Sequence, residues 1–269
     1  MATAGVSHQP DRQGWEGPTR RGKRFRSMRP DRLSRAHVPL GAARDLIVLD
    51  ELLASSTSAD GSSSDVTPLG RGTSSRSESH DRFAVLPSTD STPGTFRLRR
   101  YSLRPGELSS FFPVIESFGL AVSEIFHYHI EPGAEGERGA HIEDFVLRLM
   151  TPVGGDGVFD PDADGPRLVD ALDAIGRAKC DVDSLNQLVI FSSLDWRQVV
   201  VLRAYGRYLQ QLGGASRDGG LEGALVSCPG LAQGLVEYFE ARFDPHRSNR
   251  DDSATAARRG VIDGLSAVT

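Results

Sequence analysis

Residues 96–130 read FRLRRYSLRPGELSSFFPVIESFGLAVSEIFHYHI, and the change of hydrophobic period along this stretch decides the fold. Phe96 to Leu103 mixes apolar, aromatic and Arg side chains in a strand-like run. Leu108, Phe111, Phe112, Ile115, Phe118 and Gly119 then fall on one face at helical spacing. Ser109 or Ser110 can cap that helix, and Pro113 is tolerated in its first turn because the amides there lack intrahelical partners. Gly119 suits the chain reversal at its end. Beyond it, Val122, Phe126, Tyr128 and Ile130 take alternate positions, broken only by Glu124, which reads as a half-buried strand.

Working toward the C-terminus, a loop rich in Gly and Glu (131–139) leads to a further strand, in which Phe145, Leu147 and Leu149 alternate with Asp144, Val146 and Arg148. A polar loop and an amphipathic helix over 167–179, carrying Leu168, Leu172 and Ile175, follow. Strand, helix, strand, strand, helix is the opening of a split βαβ, ferredoxin-like sandwich, with helices on one face of an antiparallel sheet. Its final strand is not evident, and is expected to be lost or supplied by another part of a longer chain. After Ser184 the pattern is helical throughout. Leu185, Leu188, Val189 and Phe191 begin one helix. Asp195 caps a second, with Trp196, Val199, Val200, Leu202, Tyr205, Leu209 and Leu212 as an apolar stripe and Gly213-Gly214 as its stop. A third starts at Pro229 and sets Leu231, Leu235, Phe239 and Phe243 at steps of four. Asp244-Pro245 ends it, and a weaker helical run over 255–268 reaches the end of the chain, which is expected to be a truncated part of a longer polypeptide.

Working toward the N-terminus, the composition turns polar. From Ser55 to Ser79, 13 of 25 residues are Ser or Thr, too few apolar groups to offset the entropy of ordering them. Residues 1–37 hold nine basic side chains against three acidic ones, so a +6 arm precedes a body of −11 in a chain whose net charge is −5. The arm has no aromatic platform or reading helix, so a solvated tail is preferred to a nucleic-acid contact. Between arm and tract lies the short apolar run Asp45-Leu-Ile-Val-Leu-Asp-Glu-Leu-Leu53, which fits one or two helical turns or a stray strand. The expected organisation is α+β: a largely disordered third over 1–94, a ferredoxin-like sandwich over 95–180 and an all-α segment over 181–269.

At 269 residues and 29.1 kDa the chain can bury a sizeable core. No stretch approaches the ~20 apolar residues of a membrane-spanning helix, and no apolar run follows the N-terminal arginines as in a secretory signal. Two cysteines, Cys180 and Cys228, exclude a disulfide scaffold and suit a reducing cytoplasm.

Each chemical motif has a plainer explanation that outweighs it. His127 and His129 project from one strand face and His141 comes from the next strand, yet no carboxylate or Cys stands at metal spacing, so surface histidines are preferred to zinc ligands. Asp156, Asp160, Asp162 and Asp164 resemble a calcium loop, but Pro161 interrupts the pattern and no Glu closes it, leaving a solvated loop. Cys180 beside Lys179 could have a lowered pKa or be a small buried side chain. Gly70-Arg-Gly72 lacks the third Gly of a phosphate cradle and sits in the Ser-rich tract, Gly155-Asp-Gly157 leads into Asp160 and not a helix, and no P-loop occurs. Arg197, Arg203 and Arg207 form at most a loose basic stripe, read as the solvated side of a packed helix. The catalytic, cofactor-binding and metal assignments are therefore all none.

The order of these segments resembles the large bacterial NAD-dependent glutamate dehydrogenases. The likeness runs through Phe96–Tyr101, Leu108–Leu120 and Ile142–Arg148. It is closest in Asp183–Ile190 and in Leu194-Asp-Trp-Arg-Gln-Val-Val-Val-Leu-Arg-Ala-Tyr-Gly-Arg-Tyr-Leu209, and continues in Pro229–Ala232 and Leu235–Pro245. It covers about residues 95–269 and leaves 1–94 outside. The resemblance implies a non-catalytic fragment, the last ACT-like unit with the helical segment after it. The complete enzyme would use NAD to deaminate L-glutamate oxidatively to 2-oxoglutarate and would act as a homo-oligomer. Such chemistry uses active-site lysines and a dinucleotide fold, whereas Lys179 is the only lysine beyond residue 23. No catalytic or NAD-contacting residue carries over, and this chain is expected to bind no NAD. Its partners are expected to be the rest of the dehydrogenase polypeptide and an amino-acid effector, not a membrane. The alternative is a stand-alone ACT-like amino-acid-binding module.

Overall fold

The computed structural model describes residues 45, 47–53, 81–88, 94–130, 139–150, 159–213 and 220–268. The basic arm, the Ser-rich tract with Gly70 and Gly72, and Gly155, Asp156 and Gly157 lie outside the described residues. Strand β1 (Arg82–Pro87) is followed by β2 (Thr95–Ser102), α2 (Leu108–Ser117), β3 (Leu120–Ile130), β4 (Ala140–Leu149) and α3 (Pro161–Gly176). Ahead of them residues 45 and 47–53 form a helix, α1. The later elements are a 3-10 turn (Ser184–Asn186), α4 (Gln187–Phe191), α5 (Trp196–Gln211), α6 (Gly220–Ser227), α7 (Pro229–Phe243) and α8 (Arg250–Val268).

The four strands form one antiparallel sheet in the order β1-β2-β4-β3. That is the order of the expected sandwich, with one correction. The edge place of the missing last strand is taken by β1, from inside the segment 1–94 that sequence reading assigned to disorder. RFAVLP is too short and too close to polar sequence for its alternation to stand out, and pairing with β2 is what stabilises it. Phe96, Leu98, Phe145 and Leu147 face α2 and α3 in the main core, with Phe111, Ile115, Phe118, Leu168 and Leu172. At Gly165 of α3 an added Cβ would lie 3.0 Å from Val85 Cβ, so helix and β1 approach as closely as a glycine allows.

Several local expectations are corrected by packing. The register of β3 shifts between Val122 and Glu124, a bulge. It leaves Val122 and Ile125 against the main core and turns Tyr128 and Ile130 to the opposite face, so the four apolar residues do not share one side. Glu107, not Ser109 or Ser110, is the N-cap of α2, and Ser110 Oγ donates to the Glu107 carbonyl at 2.7 Å. Helix α3 starts earlier than expected. Asp160 caps it by accepting from the Asp162 amide at 3.0 Å, and Asp162 and Asp164 lie in its first turn, where the helix dipole favours them, instead of in a solvated loop.

In the helical segment Asp195 caps α5 through a capping box with Gln198, and Gly213 takes the left-handed backbone at φ 72° just past its end. The α5 stripe divides. Val199 and Leu202 are buried, while Tyr205, Leu209 and Leu212 are exposed, as is Tyr208 beside them. Along α7 the buried line is Ala232, Val236 and Ala241, not the expected step-of-four row, whose Phe243 is exposed.

Candidate functional site

Three polar clusters stand out, one on each sheet face and one at the junction with the helices. On the α2/α3 side, register pairs His129 with His141 and His127 with Glu143. The Nδ1 atoms of His129 and His141 lie 3.4 Å apart, and the rings are tilted at a 4.6 Å centroid separation. Burial, with the neighbouring His129 second, pushes His141 below the ordinary imidazole pKa. Among the described residues no three His, Cys, Asp or Glu side chains converge as a metal site. Nearby, Arg100 donates to Asp81 and Glu143 and lies 4.9 Å over the Phe111 ring.

The opposite face carries a buried ion network. Asp144, fully buried, accepts from Arg97 Nε at 3.0 Å and from Arg99 Nε at 2.7 Å. Arg99 Nη1 donates to both oxygens of Asp45 on α1, at 2.8 and 2.7 Å, and the Tyr101 hydroxyl donates to Asp45 Oδ1 at 2.6 Å. Burial works against the Arg99 charge, but hydrogen bonds and attraction from Asp144 and Asp45 outweigh it and raise its pKa. Burial first, and the Asp45 hydrogen bond second, raise that of Tyr101. Leu49 and Leu52 of α1 complete this face with Ala84, Ile130, Ala140 and Ile142. The alternation Arg97, Arg99, Tyr101 was visible in the sequence, but its partner Asp45 lies 54 positions before Arg99 and could not be paired with it by spacing.

At the junction, Arg203 of α5 is buried, which corrects its expected place on a solvated side. It donates through Nη2 to Asp183 Oδ1 at 2.8 Å and to Asn186 Oδ1 at 3.2 Å. Asn186 Nδ2 donates to Ser117 Oγ of α2 at 3.1 Å. Cys180 is buried beside this group, and burial raises its thiol pKa against a smaller opposing effect of Arg203. A lowered value beside Lys179 is thereby corrected. Arg197 and Arg207 remain exposed and pair with Asp170 and Asp181, so the three arginines do not form one basic surface.

The described residues thus offer interlocking charge clusters, and no helix among them is long and apolar enough to cross a membrane. The chain is similar to two family models, one described as glutamate dehydrogenase, ACT3 domain, over residues 83–158 and one as glutamate dehydrogenase, helical motif 3, over residues 180–245. The first match includes all of β1 but its first residue. Among curated proteins it is 34% identical over 141 residues to the NAD-specific glutamate dehydrogenase of Halomonas elongata, covering 52% of this chain and 8% of that protein. It is 31% identical over 165 residues to that of Mycobacterium tuberculosis, covering 57% of this chain and 10% of that protein. A third, from Pseudomonas aeruginosa, is 34% identical over 139 residues. The chain therefore matches about a tenth or less of the length of these relatives.

Proposed function

This chain belongs to the large NAD-specific glutamate dehydrogenase family as a segment spanning its third ACT domain and third helical motif, and from that premise we propose that it is a non-catalytic, regulatory and scaffolding part of such an enzyme. The complete protein would oxidatively deaminate L-glutamate to 2-oxoglutarate, with hydride passing to NAD. The single observation that supports the reading most is the ordered succession of the two matched units and their connection through Ser117, Asn186 and Arg203. That relay, with the hydrophobic core that both units share, supports reading the ACT-like sandwich and the helices after it as one piece. Tyr208, Leu212 and Phe243, 55%, 63% and 55% exposed, supply apolar surface for the rest of the polypeptide or for another subunit of a homo-oligomer. An amino-acid effector would act on this piece and bias the distant catalytic core.

The test is direct. Incubated with L-glutamate and NAD, the chain alone is expected to form no NADH, and turnover above a protein-free blank would overturn the proposal. Mixed with the remaining dehydrogenase polypeptide, it is expected to co-elute. Substituting both Tyr208 and Leu212 by Asp should weaken that association while the far-UV circular dichroism is unchanged.

A further inference from the structure

The sheet face opposite α2 and α3 has the chemistry of a receptor. Leaving Asp45 aside, the charges buried under α1 are Arg97 and Arg99 against Asp144, an excess of one positive charge beside apolar side chains. A charge buried this deeply requires a counter-charge. Asp45 supplies it, but imperfectly. Both of its oxygens take Nη1 of Arg99, while Nη2, in a residue 1% exposed, has no hydrogen-bond partner among the described residues. A fork-on-fork carboxylate would use both nitrogens. The face therefore offers one donor more than its present occupant uses.

The occupant itself is peptide-sized. Helix α1 presents Asp45, Val48, Leu49 and Leu52, the i, i+3, i+4 and i+7 positions of one helical stripe, to the sheet, and leaves Ile47 60% exposed on its other side. Its contacts form a cluster separate from the core that joins the sheet to α2 and α3. It lies outside both family matches and reaches β1 through a Ser-rich connection over residues 54–80.

We infer that this face is a carboxylate-keyed helix-binding site, and that residues 45–53 are its tethered, releasable ligand. Recognition requires a carboxylate on the first turn, held by Arg99 Nη1 and the Tyr101 hydroxyl, and two leucines four and seven positions later. Release of α1 exposes the site to any helix that presents the same stripe.

The experiment uses the full chain and a fluorescent peptide of residues 41–55. In the Asp45→Arg chain, α1 carries a cation against Arg99 and leaves the face. The peptide is then expected to bind saturably, about tenfold or more tighter than to the unsubstituted chain, where the tethered copy competes. A peptide with Asp45→Asn should lose about tenfold or more, as expected for a charge-assisted bond to a buried arginine. Absence of saturable binding to an Asp45→Arg chain whose β2 and β4 amides stay protected would overturn the inference, as would equal binding of the Asn peptide. If that substitution unfolds the sheet, hydrogen exchange in the unsubstituted chain decides. Amides of α1 exchanging well before those of β2 and β4 support a releasable ligand, and exchange in step with them refutes it.

Discussion

Arg203 of α5 and Asn186 meet at 3.2 Å, Nη2 to Oδ1, and Asn186 passes the connection on to Ser117 of α2 at 3.1 Å. One buried amide thereby joins the helical segment to the sandwich. Its carbonyl is occupied by Arg203, and its NH2 group by Ser117 and the Asp181 carbonyl, so the side chain cannot rotate without stranding a donor.

Arg203→Met should therefore be costly. It leaves Asp183 and Asn186 without their main partner, and a loss of about 2–4 kcal/mol is expected for breaking a largely buried, hydrogen-bonded pair. Arg203→Lys should recover little of it, because an ammonium cannot reach Asp183 and Asn186 as a fork. Urea unfolding followed by far-UV circular dichroism measures both; a loss under about 0.5 kcal/mol, the ordinary range for surface changes, would contradict the relay.

Cys180 should be the slower of the two thiols. It is buried with a raised pKa, whereas Cys228 is half-buried, so little thiolate is present at neutral pH and reagent access is poor. Timed alkylation with iodoacetamide, read by peptide mass, should show Cys228 modified first and both modified together in denaturant.

The histidine pair predicts acid sensitivity with a definite sign. The His141 pKa is lowered in the folded chain, so the unfolded chain binds more protons as pH falls through the ordinary His value of about 6.5. The stability associated with neutral His141 is complete above that pH and declines as pH drops through the lower, folded value. The urea midpoint should fall between pH 8 and pH 5, and His141→Asn should shrink that fall. An NMR titration placing His141 above the ordinary value would reverse the sign.

Gly119 is held by two constraints at once. Its φ is 72°, and an added Cβ would lie 2.9 Å from the Phe191 ring. Gly119→Ala should cost about 2–4 kcal/mol from left-handed backbone and overpacking together. Pairing it with Phe191→Leu should relieve the contact part and leave the backbone part, a coupling visible in a double-mutant cycle of urea midpoints.

Most of the sandwich was readable because its elements bury one face each. The period of two in β4 and the 3.6 period of α2 name their inward residues before any contact is known, and Gly119 and Asp195 mark ends through local backbone chemistry alone. The β3 bulge was not readable. One inserted residue reverses the face of everything after it, and only the register against β4 shows where it falls. Arg203 was misplaced for a related reason. Helical spacing puts it beside other arginines, but its burial depends on Asp183 and Asn186 arriving from a different element.

The amino-acid order alone determined the α+β succession, the helix and strand periods and the likeness to the glutamate dehydrogenases, since these depend on neighbours within a few positions or on ordered words along the chain. Tertiary structure alone decided that β1 takes the edge place beside β2, that α1 covers the second face of the sheet, and that Asp45 answers Arg99 across 54 positions. Those facts follow from which distant groups must share a dry interior, where exposed apolar surface and an unanswered charge are too costly to persist.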